Sequence, residues 1–126
     1  MIELQADSEL SEWFEVEEGS RILRLGGLRT ERETGRKLCW TEIYIRPEFE
    51  GRLKFIGNDD RAVYRIIEED FDEKIQKVEL ELSACMLGGK RVIYLDVDEG
   101  APALRVIRHY TSADGRVLEV STSDHP

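Results

Sequence analysis

An arginine, a glutamate and a serine on predicted strands are the residues of this sequence best placed to bind a ligand. Arg29 lies on the same strand face as Leu23 and Leu25, near the end of that strand. A guanidinium in such a position usually has a specific acidic partner, either an anionic ligand group or a nearby glutamate. Glu119 and Ser121 share one face of the last strand, which indicates either a lined cavity or an exposed surface. The chemistry that these side chains favour is the binding of a small molecule.

Other kinds of site lack the residues that they need. His109 and His125 lie far apart, and neither Cys39 nor Cys85 has a ligand partner nearby, so no metal site is predicted. A serine or cysteine nucleophile needs a histidine base and an orienting acid, and no nucleophile turn is recognisable. The two Gly-Gly pairs lack the strand–turn–helix context and the lysine of a phosphate-binding loop. Neither catalysis nor a bound cofactor is expected.

The sequence also repeats itself. The segment WFEVEEGSRILRLGGLR at 13–29 returns as YLDVDEGAPALRVIRHY at 94–110, shifted by 81 residues so that Gly19 falls on Gly100. A repeat of this length with only two copies predicts one domain built from two related halves, which can close around a shared cleft.

Arg108 takes the position of Gly27 in this repeat and shares a predicted strand face with Leu104, Val106 and Tyr110. It could supply a charge that the first half lacks, or it could form a salt bridge that holds the two halves together.

Composition limits the class of protein. The chain has 126 residues, enough for one domain, and its 27 acidic and 18 basic residues give a net charge of −9. That sign disfavours nucleic-acid binding, which relies on clustered Lys and Arg. No apolar run is long enough to span a membrane, and the N-terminus does not read as a signal peptide. The two cysteines do not form a disulfide framework, which suits a reduced cytoplasmic protein.

Hydrophobic periodicity predicts an α+β domain whose sheet is mostly antiparallel, with helices on one side. Ser8 and either Asp59 or Asp60 are the predicted helix N-caps. The pair Gly26-Gly27 indicates a bulge or a close approach to the backbone. The predicted helices cover 8–14, 59–71 and 90–95, and the predicted strands cover about 21–31, 37–45, 78–86, 103–111 and 116–123.

Three segments in order resemble the UTRA domain, the effector-binding module of the HutC branch of the GntR family of bacterial transcription regulators. They are ADSELSEWFEVEEGSRILRLGGLR, AVYRIIEEDFDEKIQKVELELSA and LDVDEGAPALRVIRHYTSADGRVLEVSTSDHP, which together cover nearly the whole chain. The resemblance implies a fold similar to chorismate lyase, a small-molecule effector and a homodimer. It also implies that DNA is bound only through a winged helix-turn-helix domain, which this sequence of 1–126 does not contain.

The sequence departs from the family pattern in ways that bear on the effector. The family often has two arginines one residue apart, and Arg29 matches the second whereas Gly27 replaces the first. Ala62 stands where phosphosugar binders tend to have a serine, and Thr41 where many relatives have a glutamate. These changes argue for a carboxylate-bearing effector or another ligand class. Glu119 matches a family glutamate that accepts hydrogen bonds from ligand hydroxyl or amine groups.

The strand faces and the resemblance together give one predicted set of ligand-binding residues. Two of its members, Tyr44 and Tyr64, are of a type that more often packs in a core than lines a pocket. The set is Arg29, Thr41, Tyr44, Tyr64, Arg108, Tyr110, Glu119 and Ser121. Two alternatives stay open: an enzyme of the chorismate-lyase-like fold, and a dimerisation module with a filled centre. The predicted strand from Val78 to Met86 is either half-buried or the place where two copies meet.

Overall fold

The computed structural model describes residues 1–53 and 61–126, and six strands in these residues form one antiparallel sheet. The strands are β1 (Ile2–Gln5), β2 (Arg21–Thr30), β3 (Lys37–Ile45), β4 (Ile75–Met86), β5 (Pro102–Ser112) and β6 (Val117–His125). The helices are α1 (Ser8–Phe14), α2 (Glu50–Leu53), α3 (Val63–Asp70) and α4 (Lys90–Leu95), with a short 3-10 helix at Pro47–Phe49. The predicted α+β class and antiparallel sheet are confirmed.

The sheet consists of two halves with the same topology. Its strand order is β1-β2-β3-β6-β5-β4, so the β-α-β-β unit that begins with β1 meets the unit that begins with β4 at the β3–β6 pair. The turns repeat as well. The Gly19 N–H donates to the Ala6 carbonyl at 2.8 Å, and the Gly100 N–H donates to the Leu87 carbonyl at 2.8 Å. Both glycines have positive φ, +88° and +82°, a conformation that favours glycine. The predicted duplication is confirmed.

Helices lie on both faces of the sheet. The apolar stripe of α3, Val63, Ile66 and Ile67, packs on Leu23 and Ile45, as the helical spacing predicts. The neighbouring strand residues point to the opposite face, where they pack against α1, and α4 also lies on that face. The prediction of helices on one side therefore holds for the two helices of the repeat, whereas α3 covers the other face.

Three local predictions are corrected. Asp7 rather than Ser8 caps α1, since its Oδ1 accepts the Leu10 N–H at 2.9 Å. The α3 helix begins at Val63 with Ala62 at its N-cap, and the predicted caps at 59–60 lie outside the described residues. The only register shift in the β2–β3 ladder falls between Arg29 and Thr30, so Gly26-Gly27 does not form the predicted bulge. The close approach is found at Gly26, where an ideal Cβ would lie 2.9 Å from the Trp40 ring.

Strand β4 is an edge strand rather than a half-buried one. Val78, Leu80 and Leu82 are 43%, 57% and 63% exposed. The physical reason is that β4 ends the sheet, and α3 packs over the strands of the other half and over β6. In the parts of the chain that are described, no helix is long and apolar enough to cross a membrane.

Candidate functional site

A cavity of about 360 Å³ lies on the face of the sheet that α3 covers. Seven of the eight residues predicted to bind a ligand line it: Arg29, Thr41, Tyr64, Arg108, Tyr110, Glu119 and Ser121. They come from both halves of the repeat, which meet beneath the cavity. Their role in binding stays a prediction, but the structure does bring them together.

The strand register explains why these residues share one cavity. On β6, Glu119 pairs with Ile45 of β3 and with Tyr110 of β5, and Ser121 pairs with Arg108 of β5. Side chains directly opposite each other in a ladder point to the same face. The β3–β6–β5 ladder thus places the acid, the hydroxyl, the guanidinium and the phenol on a single surface.

Glu119 is the most unusual side chain of the cavity. It is 3% exposed, and its Oε1 has no hydrogen-bond partner among the described residues. Burial raises the pKa of its carboxyl group to about 8. Leaving a buried polar group unsatisfied costs roughly 1–3 kcal/mol, so an acceptor of this kind commonly has a functional reason. At neutral pH the carboxyl group therefore carries a proton, and its Oε1 is free to form a hydrogen bond with a ligand.

The cavity has cationic side chains without acidic partners. Within residues 1–53 and 61–126, neither Arg29 nor Arg108 forms an ion pair, so the two structural alternatives proposed for them are not observed. Arg61, which also lines the cavity, differs: its guanidinium lies 2.8 Å from Glu69 and 3.0 Å from Asp70. The charges available to a ligand are those of Arg29 and Arg108.

An aromatic pair joins α3 to β5 beside the buried acid. The rings of Tyr64 and Tyr110 stack with centroids 5.4 Å apart and an interplanar angle of 14°. Burial, followed by the negative charge of Glu119, raises the pKa of Tyr110 above its ordinary value. The Tyr110 phenol therefore stays neutral over the physiological range.

Small residues leave room in the cavity. Gly27 pairs with Thr41, and an ideal Cβ on Gly27 would have no heavy atom within 4 Å. The Thr41 hydroxyl lies 2.9 Å from the Ser123 hydroxyl, with which it shares a hydrogen bond. Ala62 also lines the cavity, at the N-terminus of α3. Of the replacements noted in the sequence, Thr41 and Ala62 line the cavity, and Gly27 lies beside Thr41 on the neighbouring strand.

Tyr44, the eighth predicted residue, lies outside this cavity on the opposite face of the sheet. Its hydroxyl donates to Glu42 at 2.7 Å, and its ring meets Trp13 edge-on at 6.0 Å, on the face covered by α1. Burial raises the pKa of Tyr44 to about 12. Thr41 and Tyr44 are three residues apart on one strand, and strand side chains alternate, so they cannot share a face.

Sequence reasoning missed several lining residues. Ser123 and His125 continue the alternation that starts at Glu119 and Ser121, so the same period would have found them. Arg61 gave no such signal, because it precedes α3 and reaches the cavity only through the tertiary fold.

A larger cavity of about 590 Å³ lies on the opposite face, and the acid that lines it, Glu42, already has partners. Arg91 lies 3.2 Å from Glu42 and 3.2 Å from Asp124, and Trp40 also donates to Glu42 at 3.2 Å. Although burial acts to raise the pKa of Glu42, hydrogen bonds from Tyr44 and Trp40 and the charge of Arg91 lower it. We therefore place the candidate site at the smaller cavity, whose buried acid has no partner.

No group of three or more His, Cys, Asp or Glu side chains in the described residues could hold a metal ion.

Comparisons with known proteins agree with this geometry. A family model described as the UTRA domain matches residues 2–126. The chain is similar in structure to the ligand-binding domain of a protein assigned to the GntR family of transcriptional regulators from Bordetella bronchiseptica, with a TM-score of 0.86, 18% identity and coverage of 99% of this chain and 79% of that one. It is similar to a GntR-family transcriptional regulator from Enterococcus faecalis V583, with a TM-score of 0.85, 18% identity and coverage of 98% and 87%.

A third similar structure is YydK, a candidate transcriptional regulator from Bacillus subtilis, with a TM-score of 0.83 and 19% identity. The alignment covers 99% of this chain and 54% of YydK, so the chain corresponds to about half of that protein. At these identities the structural likeness shows the fold. Comparison with curated protein sequences finds no match.

Proposed function

The chain belongs to the UTRA domain family, and we propose that it is the effector-sensing domain of a bacterial transcription regulator of the GntR family, in its HutC branch. The observation that carries the proposal is a buried glutamate without a partner, in a cavity that also holds two unpaired arginines. A packed structural core rarely retains a buried carboxyl group without a partner, because such a group is costly to bury. In a cavity that binds a polar small molecule, the ligand supplies that partner.

The proposed effector carries an acidic group. Arg29 and Arg108 supply positive charge without acidic partners among the described residues, and a guanidinium matches the geometry of a carboxylate. Gly27 in place of an arginine and Ala62 in place of a serine make a phosphate ester a poorer fit. We propose no cofactor, no metal and no chemical conversion of the effector.

The domain is proposed to act as a homodimer through β4. Among the described residues, β4 pairs with β5 on one side and with no strand on the other, and it has an exposed apolar row formed by Val78, Leu80 and Leu82. An exposed apolar edge is a ready template for a second strand, and a second copy of this chain supplies one with twofold symmetry. An effector that prefers one arrangement of the pair would shift the spacing of two DNA-binding domains, which lie outside residues 1–126.

DNA binding through a separate domain agrees with the net charge of −9. A cytoplasmic location agrees with the free thiols of Cys39 and Cys85.

A thermal-shift screen with carboxylates, amino acids and sugars tests the proposal, because a ligand that binds the folded state raises its melting temperature. The Glu119→Ala variant and the double variant Arg29→Ala/Arg108→Ala should each lose the response. Arg32→Ala, which removes an exposed arginine from the β2–β3 turn, is the matched control and should keep it. Consumption of the stabilising compound would support the enzyme alternative. Absence of any response would support the dimerisation module with a filled centre.

A further inference from the structure

We infer that the effector is a compact amino acid, with its ammonium group bound by Glu119 and its carboxylate bound by Arg108. This inference rests on the proposed function and adds the chemical class of the effector and its orientation. It follows from three observations: the charges left unpaired in the cavity, the spacing that the strand register gives them, and the rings beside the acid.

The ionisable groups left without partners in the cavity are of two kinds. Arg61 is neutralised by Glu69 and Asp70, which leaves two guanidinium groups and the Glu119 carboxyl. The guanidinium groups call for an acidic group on the ligand, and Oε1 of Glu119, which has no partner among the described residues, calls for a hydrogen-bond donor. A ligand that satisfies both carries an acidic group and a donor group, and a cationic donor would be matched by ionisation of Glu119.

The register makes Arg108, rather than Arg29, the partner for a compact ligand. Arg108 stands two residues before Tyr110, which pairs with Glu119, and such diagonal neighbours lie about 7–8 Å apart between Cα atoms. Arg29 pairs with Cys39, six residues before Ile45, which pairs with Glu119. At about 3.3 Å per residue, that separation is about 20 Å along the sheet. A molecule with an amine and a carboxylate a few bonds apart spans the first distance and not the second.

Glu119 and Arg108 do not satisfy each other, although they are close in register. No ion pair joins them within the described residues, and burial alone accounts for the raised pKa of Glu119. A gap therefore separates the carboxyl group from the guanidinium, on the surface that also holds Ser121. The ligand occupies this gap, with one charged end toward each residue.

An ammonium group suits the environment of Glu119 better than a hydroxyl group does. A hydroxyl donates one hydrogen bond, whereas an ammonium donates three and compensates the charge of a buried carboxylate. Tyr110 pairs with Glu119 and stacks on Tyr64, so aromatic rings border the same position. Aromatic ring faces attract cations, which adds to the preference for an ammonium group.

The experiment is titration calorimetry of the full chain with the twenty standard amino acids, followed by matched analogues of any that bind. Alanine, lactate and propionate form one such series, in which only the group that would face Glu119 changes. The amino acid should bind at least about tenfold more tightly than its hydroxy and desamino analogues, because a charge-assisted hydrogen bond is worth more than a neutral one. Binding at pH 7 should also release up to about one proton, since Glu119 ionises as the ammonium arrives. Two buffers of different ionisation enthalpy measure that release.

Variants separate this inference from the proposed function. Arg108→Gln should abolish binding of the amino acid, and Arg29→Gln should weaken it by a smaller factor. Arg32→Gln, at an exposed position outside the cavity, should retain binding. Glu119→Gln should remove both the preference for the amine and the proton release. Equal binding of amino acid and desamino analogue, or loss of binding in Arg29→Gln alone, overturns the inference. If sugars or dicarboxylates bind and no amino acid does at about 10 mM, the ligand class is wrong while effector sensing stands. If nothing in the broader panel binds, both fail.

Discussion

Glu119 and Arg108 are diagonal neighbours on β6 and β5, and they form no ion pair with each other in the described part of the chain. In a domain that needed only stability, a buried acid and a nearby guanidinium would either join or be replaced by apolar residues. Their separation leaves a neutral carboxyl group and a guanidinium group facing a shared cavity. Burial of the Glu119 carboxyl group should therefore affect the stability of the unliganded domain. That effect can be measured as a change in the free energy of unfolding, without knowing the ligand.

The first prediction concerns how stability depends on pH. The pKa of Glu119 in the folded state is raised to about 8, so the unfolded chain loses this proton at lower pH than the folded chain. The contribution to stability is fully present below the ordinary glutamate pKa and is lost as pH rises toward about 8. The free energy of unfolding should fall by up to about 1.4 kcal/mol per pH unit across that window. Glu119→Gln should flatten the slope, as measured by urea denaturation at pH 5, 6, 7 and 8.

Glu12→Gln is the control for this measurement, because it removes an exposed carboxyl group from α1. It should leave the pH slope of the wild-type protein in place. An unchanged slope in Glu119→Gln would show that the buried acid is ionised throughout and would contradict its raised pKa.

The second prediction contrasts two adjacent glycines. A methyl group on Gly26 would lie 2.9 Å from Cζ2 of Trp40, whose ring stacks on Tyr94 and cannot move freely, whereas a methyl group on Gly27 would meet open space. Gly26→Ala should therefore destabilise the fold by about 1–3 kcal/mol through overpacking. Gly27→Ala should change stability by less than about 0.5 kcal/mol. Thermal melts of the two variants decide the point, and equal losses would contradict the open space beside Gly27.

These two glycines also show what sequence could and could not predict. The glycine pair itself predicted that another group approaches the backbone closely there. Which glycine is crowded depends on strand β3, because its Trp40 and Thr41 side chains point to opposite faces of the sheet. Strand alternation correctly grouped Glu119 with Ser121, and the repeat correctly predicted two similar halves. Alternation applied to β3 would also have separated Tyr44 from Thr41, which the predicted set combined.

The parts that sequence could not predict depend on tertiary packing. An alternating strand such as β4 predicts one buried face, yet a strand at the end of a sheet is buried only if another element covers it, and α3 packs elsewhere. Likewise, nothing local indicated that Arg91 of α4 would bridge Glu42 of one half and Asp124 of the other. Such pairs are set by how the halves join.

The third prediction concerns the start of α3. Ala62 occupies its N-cap and makes no side-chain hydrogen bond there. Ala62→Ser should supply the missing acceptor for a free backbone N–H of the first turn and stabilise the domain by about 0.5–1 kcal/mol. Ala62→Val, which adds a side chain without an acceptor, is the control. A thermal melt in which serine and valine behave alike would contradict the capping explanation.

The fourth prediction tests the proposed dimer. Leu80→Glu places a charge in the exposed apolar row of β4, so sedimentation should show a shift from dimer to monomer without loss of secondary structure. Ile93→Glu alters a side chain of comparable size that is 73% exposed on α4, away from that row, and should leave the dimer intact. A wild-type chain that sediments as a monomer, or a dimer that survives Leu80→Glu and is lost in Ile93→Glu, would move the interface elsewhere.

The fifth prediction concerns Asp124, which is 2% exposed and is bound by two arginines. Arg105 donates to its two oxygens at 2.8 and 3.1 Å, and Arg91 lies 3.2 Å away. Changing either arginine to methionine should lower the free energy of unfolding by about 1–3 kcal/mol, because the other arginine still compensates the charge of the carboxylate. The double variant should lose more than the sum of the two, since it leaves a buried charge without a cation. Adding Asp124→Asn to the double variant removes that charge and should recover part of the loss in urea denaturation; strictly additive losses with no recovery would mean that the two arginines act independently of Asp124.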